Sequence, residues 1–132
     1  MSTYYLDSSV ALRALLNHSP SATAWLESES SHEANIFISS RLLRTEITRV
    51  LRRESLPVSL RNEILDSILT IPLTDGIIAE AEAIVPHVKT LDAIHLASAI
   101  ATGQDPVIVT HDTGMKSAAE LLGLQWHDPV QE

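Results

Sequence analysis

The sequence predicts an α/β fold in which a mostly parallel sheet is covered by helices on both faces. Short runs rich in β-branched and aromatic residues, such as "NIFIS" and "PVIVT", alternate with longer segments whose apolar residues recur at helical spacing. Parallel neighbouring strands need a long crossover, usually a helix, and such crossovers are right-handed. A chain of 132 residues is long enough to bury a core without disulfides, so residues 1–132 are expected to form a single domain.

The first half of the chain contains two predicted strands. "TYYL" is the first strand, and "DSSVALRALLNH" begins a helix for which Ser8 or Ser9 is a suitable N-cap. "NIFIS" is the second strand. It is followed by "SRLLRTEITRVLRRE", which has apolar residues at helical spacing, and by "PVSLRNEILDSILT", which is predicted to form one helix after Pro57.

The second half of the chain continues the alternation. "TIPL" is short and interrupted by proline, so it is predicted to be no more than an edge strand. "DGIIAEAEAIV" is predicted to be a helix that Pro86 closes, and "LDAIHLASAIATG" a helix that ends at Gly103. The strand "PVIVT", the helix "GMKSAAELLG" and the weak strand "LQWH" follow, without any repeat or linker.

Composition limits the possible function classes. The absence of cysteine excludes a disulfide framework, thiolate metal ligands and a cysteine nucleophile. The N-terminus has no signal-peptide pattern and no apolar run approaches a membrane span, so a soluble cytoplasmic protein is expected. A net charge of -8 argues against a nucleic-acid partner. However, six of the nine Lys and Arg residues lie within 41–61, which indicates a local basic patch.

Four acidic residues are predicted to meet at one edge of the sheet. Asp7 directly follows "TYYL", and Asp112 comes two residues after "PVIVT". Glu46 lies early in the helix after "NIFIS", and Asp92 lies in the first turn of its helix, with Thr90 as the expected N-cap. Sites in open parallel sheets collect beyond the carboxyl ends of strands. Because four carboxylates repel one another, a divalent cation is expected among them.

Each of these acids also has a purely structural interpretation. Asp7 and Asp112 are suitable helix N-caps, and Asp92 is favoured in a first turn by the helix dipole. Glu46 is placed for an ion pair with Arg49, three residues further along its helix. Taken alone, each interpretation explains its residue, but four such coincidences at one predicted edge favour a site.

The acidic segments resemble the successive motifs of PIN-domain ribonucleases, in particular the VapC-type toxins of toxin–antitoxin pairs. These segments are "LDSSVALRALL", "RTEITRVL", "LDAIHLASA" and "VTHDTGM", and the resemblance extends over essentially the whole chain. It implies a three-layer α/β/α sandwich, endonucleolytic RNA cleavage that depends on Mg²⁺ or Mn²⁺, and an antitoxin whose peptide blocks the site. Catalysis and metal binding would then fall to Asp7, Glu46, Asp92 and Asp112.

Other residues are expected to support this site. The resemblance makes Thr110 the hydroxyl that accompanies the last acid, and Ser9 is assigned as a helix cap or as a donor supporting the acids. Arg49 and Arg53 flank the acids and are expected to bind RNA phosphates. The apolar stripes of "GIIAEAEAIV" and "LRNEILDSIL" favour a homodimer, with the antitoxin in a groove between the early helices.

The two histidines near these acids have open roles. His95 is more readily explained as a buried, hydrogen-bonding residue than as a metal ligand, and His111 is a weaker candidate for lining the site.

Two other classes of function also remain open. A metal-dependent phosphatase or phosphotransfer domain would use an aspartate after a strand, although "LDSSV" lacks the second aspartate of a D-x-D motif. The other is an interaction module without catalysis, in which the acids are caps and the arginine-rich helix binds a partner.

Overall fold

The computed structural model describes residues 2–130 and has a central sheet of five strands. All strand pairs are parallel, and the order across the sheet is β3-β2-β1-β4-β5. The strands are β1 (Thr3–Leu6), β2 (Ile36–Ser40), β3 (Leu69–Ile71), β4 (Val107–Val109) and β5 (Trp126–His127). The predicted parallel sheet is therefore confirmed, and β1 lies at its centre.

Helices connect the strands and cover the sheet. They are α1 (Ser8–Leu15), α2 (Pro20–Ser30), α3 (Arg41–Arg53), α4 (Asn62–Leu65), α5 (Asp75–Ala83), α6 (Thr90–Ala101) and α7 (Thr113–Leu121), with a 3₁₀ turn at Val58–Arg61.

Two separate apolar clusters show that the domain has three layers. Successive strand residues point to opposite faces, so Tyr5 and Leu6 of β1 belong to different clusters. Tyr5 packs with apolar residues of α6 and α7, including Leu96 and Met115. Leu6 packs with residues of α1, α2 and α3, including Leu43. The predicted α/β/α sandwich is confirmed.

Two segments differ from the sequence prediction. Helix α2 was not predicted, because its apolar residues form only a weak helical pattern. Its start is marked instead by Ser19, which caps the helix, and by Pro20, its first residue. The segment "PVSLRNEILDSILT" was predicted as one helix, but it forms the 3₁₀ turn, the four-residue α4 and part of β3. The edge of β2 offers backbone partners to Leu69–Ile71, and this pairing overrides the helical pattern.

Two predicted helix caps were wrong. Asp7 occupies the N-cap of α1 without a side-chain capping bond, whereas Ser8 and Ser9 are its first helical residues and the hydroxyl of Ser9 donates to the carboxylate of Asp7. Lys89 occupies the N-cap of α6, and Thr90 is its first helical residue. Across residues 2–130, no helix combines the length and the apolar character that a membrane span requires.

Candidate active site

The pairing of β1 with β4 places Asp7 beside Thr110 at the carboxyl edge of the sheet. Leu6 is in register with Val109, and the backbone N–H of Asp7 donates to the carbonyl of Val109 over 3.0 Å. The side chain of Asp7 is buried, and its Oδ2 accepts hydrogen bonds of 2.8 Å from both Ser9 Oγ and Thr110 Oγ1. Two hydroxyls therefore fix this carboxylate in the middle of the sheet edge.

Thr110 also connects Asp7 with Asp112. Its Oγ1 donates to Asp7 and accepts a 3.1 Å hydrogen bond from the backbone N–H of Asp112. Asp112 in turn caps α7, because its Oδ1 accepts from the backbone N–H of Met115 over 3.0 Å. Gly114 leaves room for this carboxylate, since a Cβ at that position would lie 3.2 Å from Asp112 Oδ1. Helix capping therefore accounts for one of the two carboxylate oxygens of Asp112, Oδ1.

Asp92 lies in the first turn of α6 and is partly buried. Burial and, after it, the negative charges of Asp7 and Asp112 together raise the pKa of its carboxyl from 3.8 to about 6. His95 and Lys89 act in the opposite direction with a smaller effect. The carboxylates of Asp7 and Asp112, from two other segments, are therefore close enough to act on Asp92.

Glu46 reaches the same region from α3 and is held by two donors. Its Oε1 accepts a 2.6 Å hydrogen bond from His95 Nε2, and its Oε2 accepts a 3.3 Å hydrogen bond from Ser8 Oγ. The ion pair with Arg49 considered from the sequence is wrong: within residues 2–130, Arg49 lies within 4.0 Å of no carboxylate.

His95 is completely buried and joins the sheet to α3. Its Nδ1 forms a 2.7 Å hydrogen bond with the hydroxyl of Tyr5, and its Nε2 bonds to Glu46. Burial alone would lower the pKa of His95, but the hydrogen bond and charge of Glu46, with the charges of Asp7 and Asp92, outweigh it and raise the pKa above 6.5. His95 is thus the buried, hydrogen-bonding histidine that the sequence favoured.

His111 lies beside Asp112 and is positioned by a residue that sequence reasoning missed. Its Nδ1 bonds to Asp128 Oδ2 over 2.9 Å, and Lys116 Nζ donates to the same oxygen over 2.7 Å. Burial alone would raise the pKa of Asp128, but the hydrogen bonds from Lys116, His111 and the backbone N–H of Val130 hold it below 3.8. No local pattern marks Asp128, because its partners lie 12 and 17 residues earlier.

The acids do not form a ready metal cage. In the described part of the chain, no three histidine, aspartate or glutamate side chains lie close enough together to hold one ion. Asp112 is turned toward the first turn of α7, and Glu46 is bonded to His95 and Ser8. The structure therefore places the four predicted acids around one edge, but less tightly than the sequence suggested.

Two predicted phosphate contacts lie on α3. The side chains of Arg49 and Arg53 are both exposed, and Arg53 is seven residues beyond Glu46 on the same helix. Hence both are accessible to a ligand in solution.

This arrangement defines a class of protein: a parallel α/β/α domain with carboxylates at the carboxyl edge of its central strands. The chain belongs to the PIN domain family, whose model matches residues 4–121. PIN domains are nucleases and generally use divalent metal ions, so the chain falls among hydrolases that act on nucleic acid. None of the curated proteins compared with the chain matches it.

Solved structures of toxin–antitoxin complexes share this fold. DNA-bound VapBC from Salmonella typhimurium has a TM-score of 0.74 at 14% identity, over 98% of this chain and 99% of that chain. VapBC2 from Rickettsia felis, bound to a DNA fragment from its promoter, has a TM-score of 0.73 at 15% identity, over 96% of this chain and 98% of that chain. VapBC-1 from nontypeable Haemophilus influenzae has a TM-score of 0.68 at 14% identity, over 98% of this chain and 99% of that chain. At these identities the likeness establishes the fold.

Proposed function

We propose that this protein is a metal-dependent endoribonuclease and the toxin of a toxin–antitoxin module. The observation that carries the proposal is the placement of Asp7 and Asp112, at the carboxyl edge of β1 and β4, close enough for their charges to raise the pKa of Asp92 on α6. Membership of a nuclease family supports the reaction class, and the VapBC complexes among its structural neighbours support the toxin assignment.

The proposed metal ligands are Asp7, Glu46, Asp92 and Asp112, which also form the proposed catalytic set. The donors are all carboxylate oxygens, which Mg²⁺ and Mn²⁺ prefer. The raised pKa of Asp92 fits a cation site, because a positive ion would offset the repulsion that Asp7 and Asp112 exert on it. When bound, such an ion supplies Lewis-acid charge for hydrolysis of a phosphodiester.

Within this site, Thr110 and Ser9 act as positioning residues. Both donate hydrogen bonds to Asp7 Oδ2, and the hydroxyls lie 3.3 Å from each other. Their contacts fix the orientation of the most buried acid, so that its second oxygen keeps one direction. Ser9 Oγ also accepts from the backbone N–H of His111 over 2.9 Å, which joins the start of α1 to the loop that carries Asp112.

RNA is the proposed substrate, and Arg49 and Arg53 are proposed to bind its phosphates. Both side chains are exposed on the helix that carries Glu46. Replacing both with Ala should reduce the slope of log K against log salt by about 1.4 for single-stranded RNA, at about 0.7 for each lost contact. The cytoplasm is the proposed place of action, and an RNA substrate is consistent with it. Unchanged salt dependence would remove these two arginines from the RNA contact.

The antitoxin is proposed to dock in an apolar groove of about 340 Å³ between α1, α2 and α4. Apolar and polar side chains line it together, and two of the polar ones are the exposed Glu27 and Glu63, which suits an amphipathic helix with basic flanks. The apolar lining residues are Leu6, Ala14, Leu15, Leu26, Phe37, Ile64 and Ile68. Co-expression with the products of the two flanking reading frames tests this proposal, because the antitoxin should co-purify with the chain and suppress RNA cleavage.

A homodimer is proposed through the surface around the end of α5. Val85 is 92% exposed, and it lines a surface hollow together with the apolar residues Ile78, Ile84, Val88 and Ile94. Apolar side chains of this size are seldom left in solvent together, so a second copy of the chain is the proposed cover.

Cleavage of a labelled RNA with Mn²⁺, with Mg²⁺ and with EDTA tests the nuclease proposal. The best variant is Asp112→Asn, because Asn caps helices about as well as Asp while losing the charge. Asp75→Asn is its matched control, since Asp75 is an exposed aspartate at the start of another helix. Internal cuts that need metal, survive in Asp75→Asn and disappear in Asp112→Asn support the proposal.

The same assay separates the proposal from its alternatives. A phosphatase or phosphotransfer domain would leave RNA intact while releasing phosphate from a monoester. An interaction module would show no metal-dependent reaction, and Mn²⁺ would not raise its melting temperature.

A further inference from the structure

The outer face of α3 carries an arginine cluster that the acidic site does not use. Five arginines and two threonines are the residues of the described chain, 2–130, that line a surface hollow of about 270 Å³. We name it the arginine hollow, formed by Arg41, Arg44, Arg49, Arg52 and Arg61 with Thr45 and Thr48. It is a concentrated positive surface on a chain with a net charge of -8.

Ion pairing within the fold does not explain the number of these arginines. In the part of the chain that the structure describes, none of them lies within 4.0 Å of a carboxylate. Arg41 begins α3, where the helix dipole disfavours positive charge, and Arg44 follows it at a spacing that brings like charges together. Helix stability accounts for Arg52, which lies in the last turn, where the dipole favours positive charge, but it does not account for Arg41 and Arg44.

The hollow has shape as well as charge. Arg61 reaches it from the 3₁₀ turn and donates a 2.9 Å hydrogen bond to Thr48 Oγ1. Arg41 donates to Thr45 Oγ1 over 3.3 Å. Two walls, one from α3 and one from the 3₁₀ turn, therefore hold guanidinium groups around a shared space.

The arrangement matches an extended polyanion. Arg41 and Arg52 are separated by about 16 Å along α3, at 1.5 Å per residue, so the row can contact several phosphates of one strand. The lining contains no apolar side chain, which disfavours a protein helix as the occupant. Guanidinium groups donate to phosphate oxygens in a bidentate manner, and threonine hydroxyls add further donors.

The position of the hollow relates it to the acids. At about 100° per residue, Arg49 lies about 60° from Glu46 around α3, whereas Arg52 lies about 120° away. Arg49 is therefore at the margin between the hollow and the acidic edge. Arg53 does not line the hollow and lies only about 20° from Glu46, almost directly along the helix from it.

We propose that the arginine hollow binds the phosphodiester backbone of single-stranded RNA outside the cleavage site and guides the strand past Arg49 toward the acids. The inference rests on the proposed ribonuclease function and adds the path that its substrate takes. It places Arg41, Arg44, Arg52 and Arg61 in contact with substrate segments that are not cut.

The test measures binding of a fluorescein-labelled 12-nucleotide RNA by anisotropy in EDTA, across a range of salt concentrations. The variant is Arg41→Ala/Arg44→Ala/Arg52→Ala. Losing three phosphate contacts should reduce the salt slope by about 2 and raise the Kd at 0.1 M salt on the order of 100-fold.

A matched control changes net charge by the same amount elsewhere. Gln104→Glu/Ser117→Glu/Gln125→Glu places three negative charges on exposed positions outside the hollow. Its salt slope should stay near that of the parent. Equal weakening in both variants, or none in either, overturns the proposal.

Further measurements check the folding of the triple variant, the kind of ligand that the hollow binds and the cleavage of RNA by the parent. Circular dichroism checks that the triple variant folds, and Arg44→Ala/Arg52→Ala, with an expected slope change of about 1.4, replaces it if it does not. Unchanged RNA binding together with lost binding of a poly-glutamate peptide would assign the hollow to an acidic protein partner and overturn the proposal. Binding is measured without metal, so a parent that binds RNA through the hollow but cuts none with Mn²⁺ would refute only the nuclease function.

Discussion

Asp92→Asn is the substitution that best separates a metal ligand from a helix-dipole partner. The pKa of Asp92 is raised from 3.8 to about 6 by burial and by the charges of Asp7 and Asp112. A rise of this size corresponds to about 3 kcal/mol between the two protonation states. Since the side chain is only partly buried, solvent screening reduces the effect to about 1–2 kcal/mol.

The sign of the effect follows from proton linkage. A carboxyl with a raised pKa in the folded protein binds its proton more tightly there than in the unfolded chain. Its ionisation therefore costs stability as pH rises from about 4 through about 6. The amide in the Asp92→Asn variant carries no such cost, although the helix dipole loses a favourable charge worth about 0.3–1 kcal/mol. In EDTA, Asp92→Asn should match the parent at pH 4 and melt at a higher temperature at pH 7.

Mn²⁺ should reverse this order. A ligand at a hundred times its Kd stabilises the protein by about 2.7 kcal/mol, and each tenfold loss of affinity removes about 1.4 kcal/mol of that gain. Asp92→Asn should therefore gain less than the parent and melt at a lower temperature with saturating Mn²⁺. RNA cleavage should also fall by orders of magnitude, because the reacting groups lose their fixed position.

The assay is a set of melting curves at pH 4 and pH 7, with EDTA and with Mn²⁺, alongside RNA cleavage. Asp75→Asn is the control, because Asp75 is also a first-turn aspartate but is exposed on α5. It should lose only its dipole contribution and keep the parent's response to Mn²⁺. An Asp92→Asn protein that melts lower in EDTA, gains as much from Mn²⁺ and cuts RNA at the parent's rate would refute the reasoning.

Three further substitutions test other parts of the structure. Tyr5→Phe removes the partner of His95 Nδ1 in the core and should lower the free energy of unfolding by about 1–2 kcal/mol in urea; equal stability would show that this bond contributes nothing. Asp128→Asn should lower the free energy of unfolding by about 2 kcal/mol at pH 7. Because the pKa of Asp128 is held below 3.8, the difference in stability between the parent and the variant should narrow only below about pH 4. A gap that closes near pH 6 would assign the effect to another group. Val85→Asp should convert the proposed dimer into a monomer in sedimentation, whereas a parent that is already monomeric would refute that interface.

The sequence predicted the layers and the sheet because those features have local patterns. "TYYL" and "PVIVT" are short β-branched or aromatic runs, and they form the neighbouring strands β1 and β4. The prediction of one helix over residues 57–70 was wrong for a physical reason. The helical pattern of this segment competes with pairing to the edge of β2, and only the folded protein shows that this edge is open to it. Helix α2 was missed because Ser19 and Pro20, rather than apolar spacing, mark its start.

The candidate site could also be predicted only where its residues follow a local sequence pattern. The positions of Asp7 and Asp112, each just after a predicted strand, were visible in the sequence. The bond between Glu46 and His95 could not, because the two residues lie 49 positions apart and pair only through tertiary packing. The arginines of α3 were visible as a charge run, but their grouping around one hollow with Arg61 depended on the turn after that helix.

The hydrogen bond between Thr110 and Asp7 joins residues 103 positions apart, at strands that lie side by side in the middle of the sheet. During synthesis at about 5–20 residues per second, Asp7 is added to the chain roughly 5–20 s before Thr110. A nascent chain without β4 lacks the last acid and the hydroxyl that orients the first. The apolar groove between α1, α2 and α4 needs only residues up to Ile68. A partner that recognises this groove would therefore find its binding elements already synthesised while the acidic edge is still incomplete.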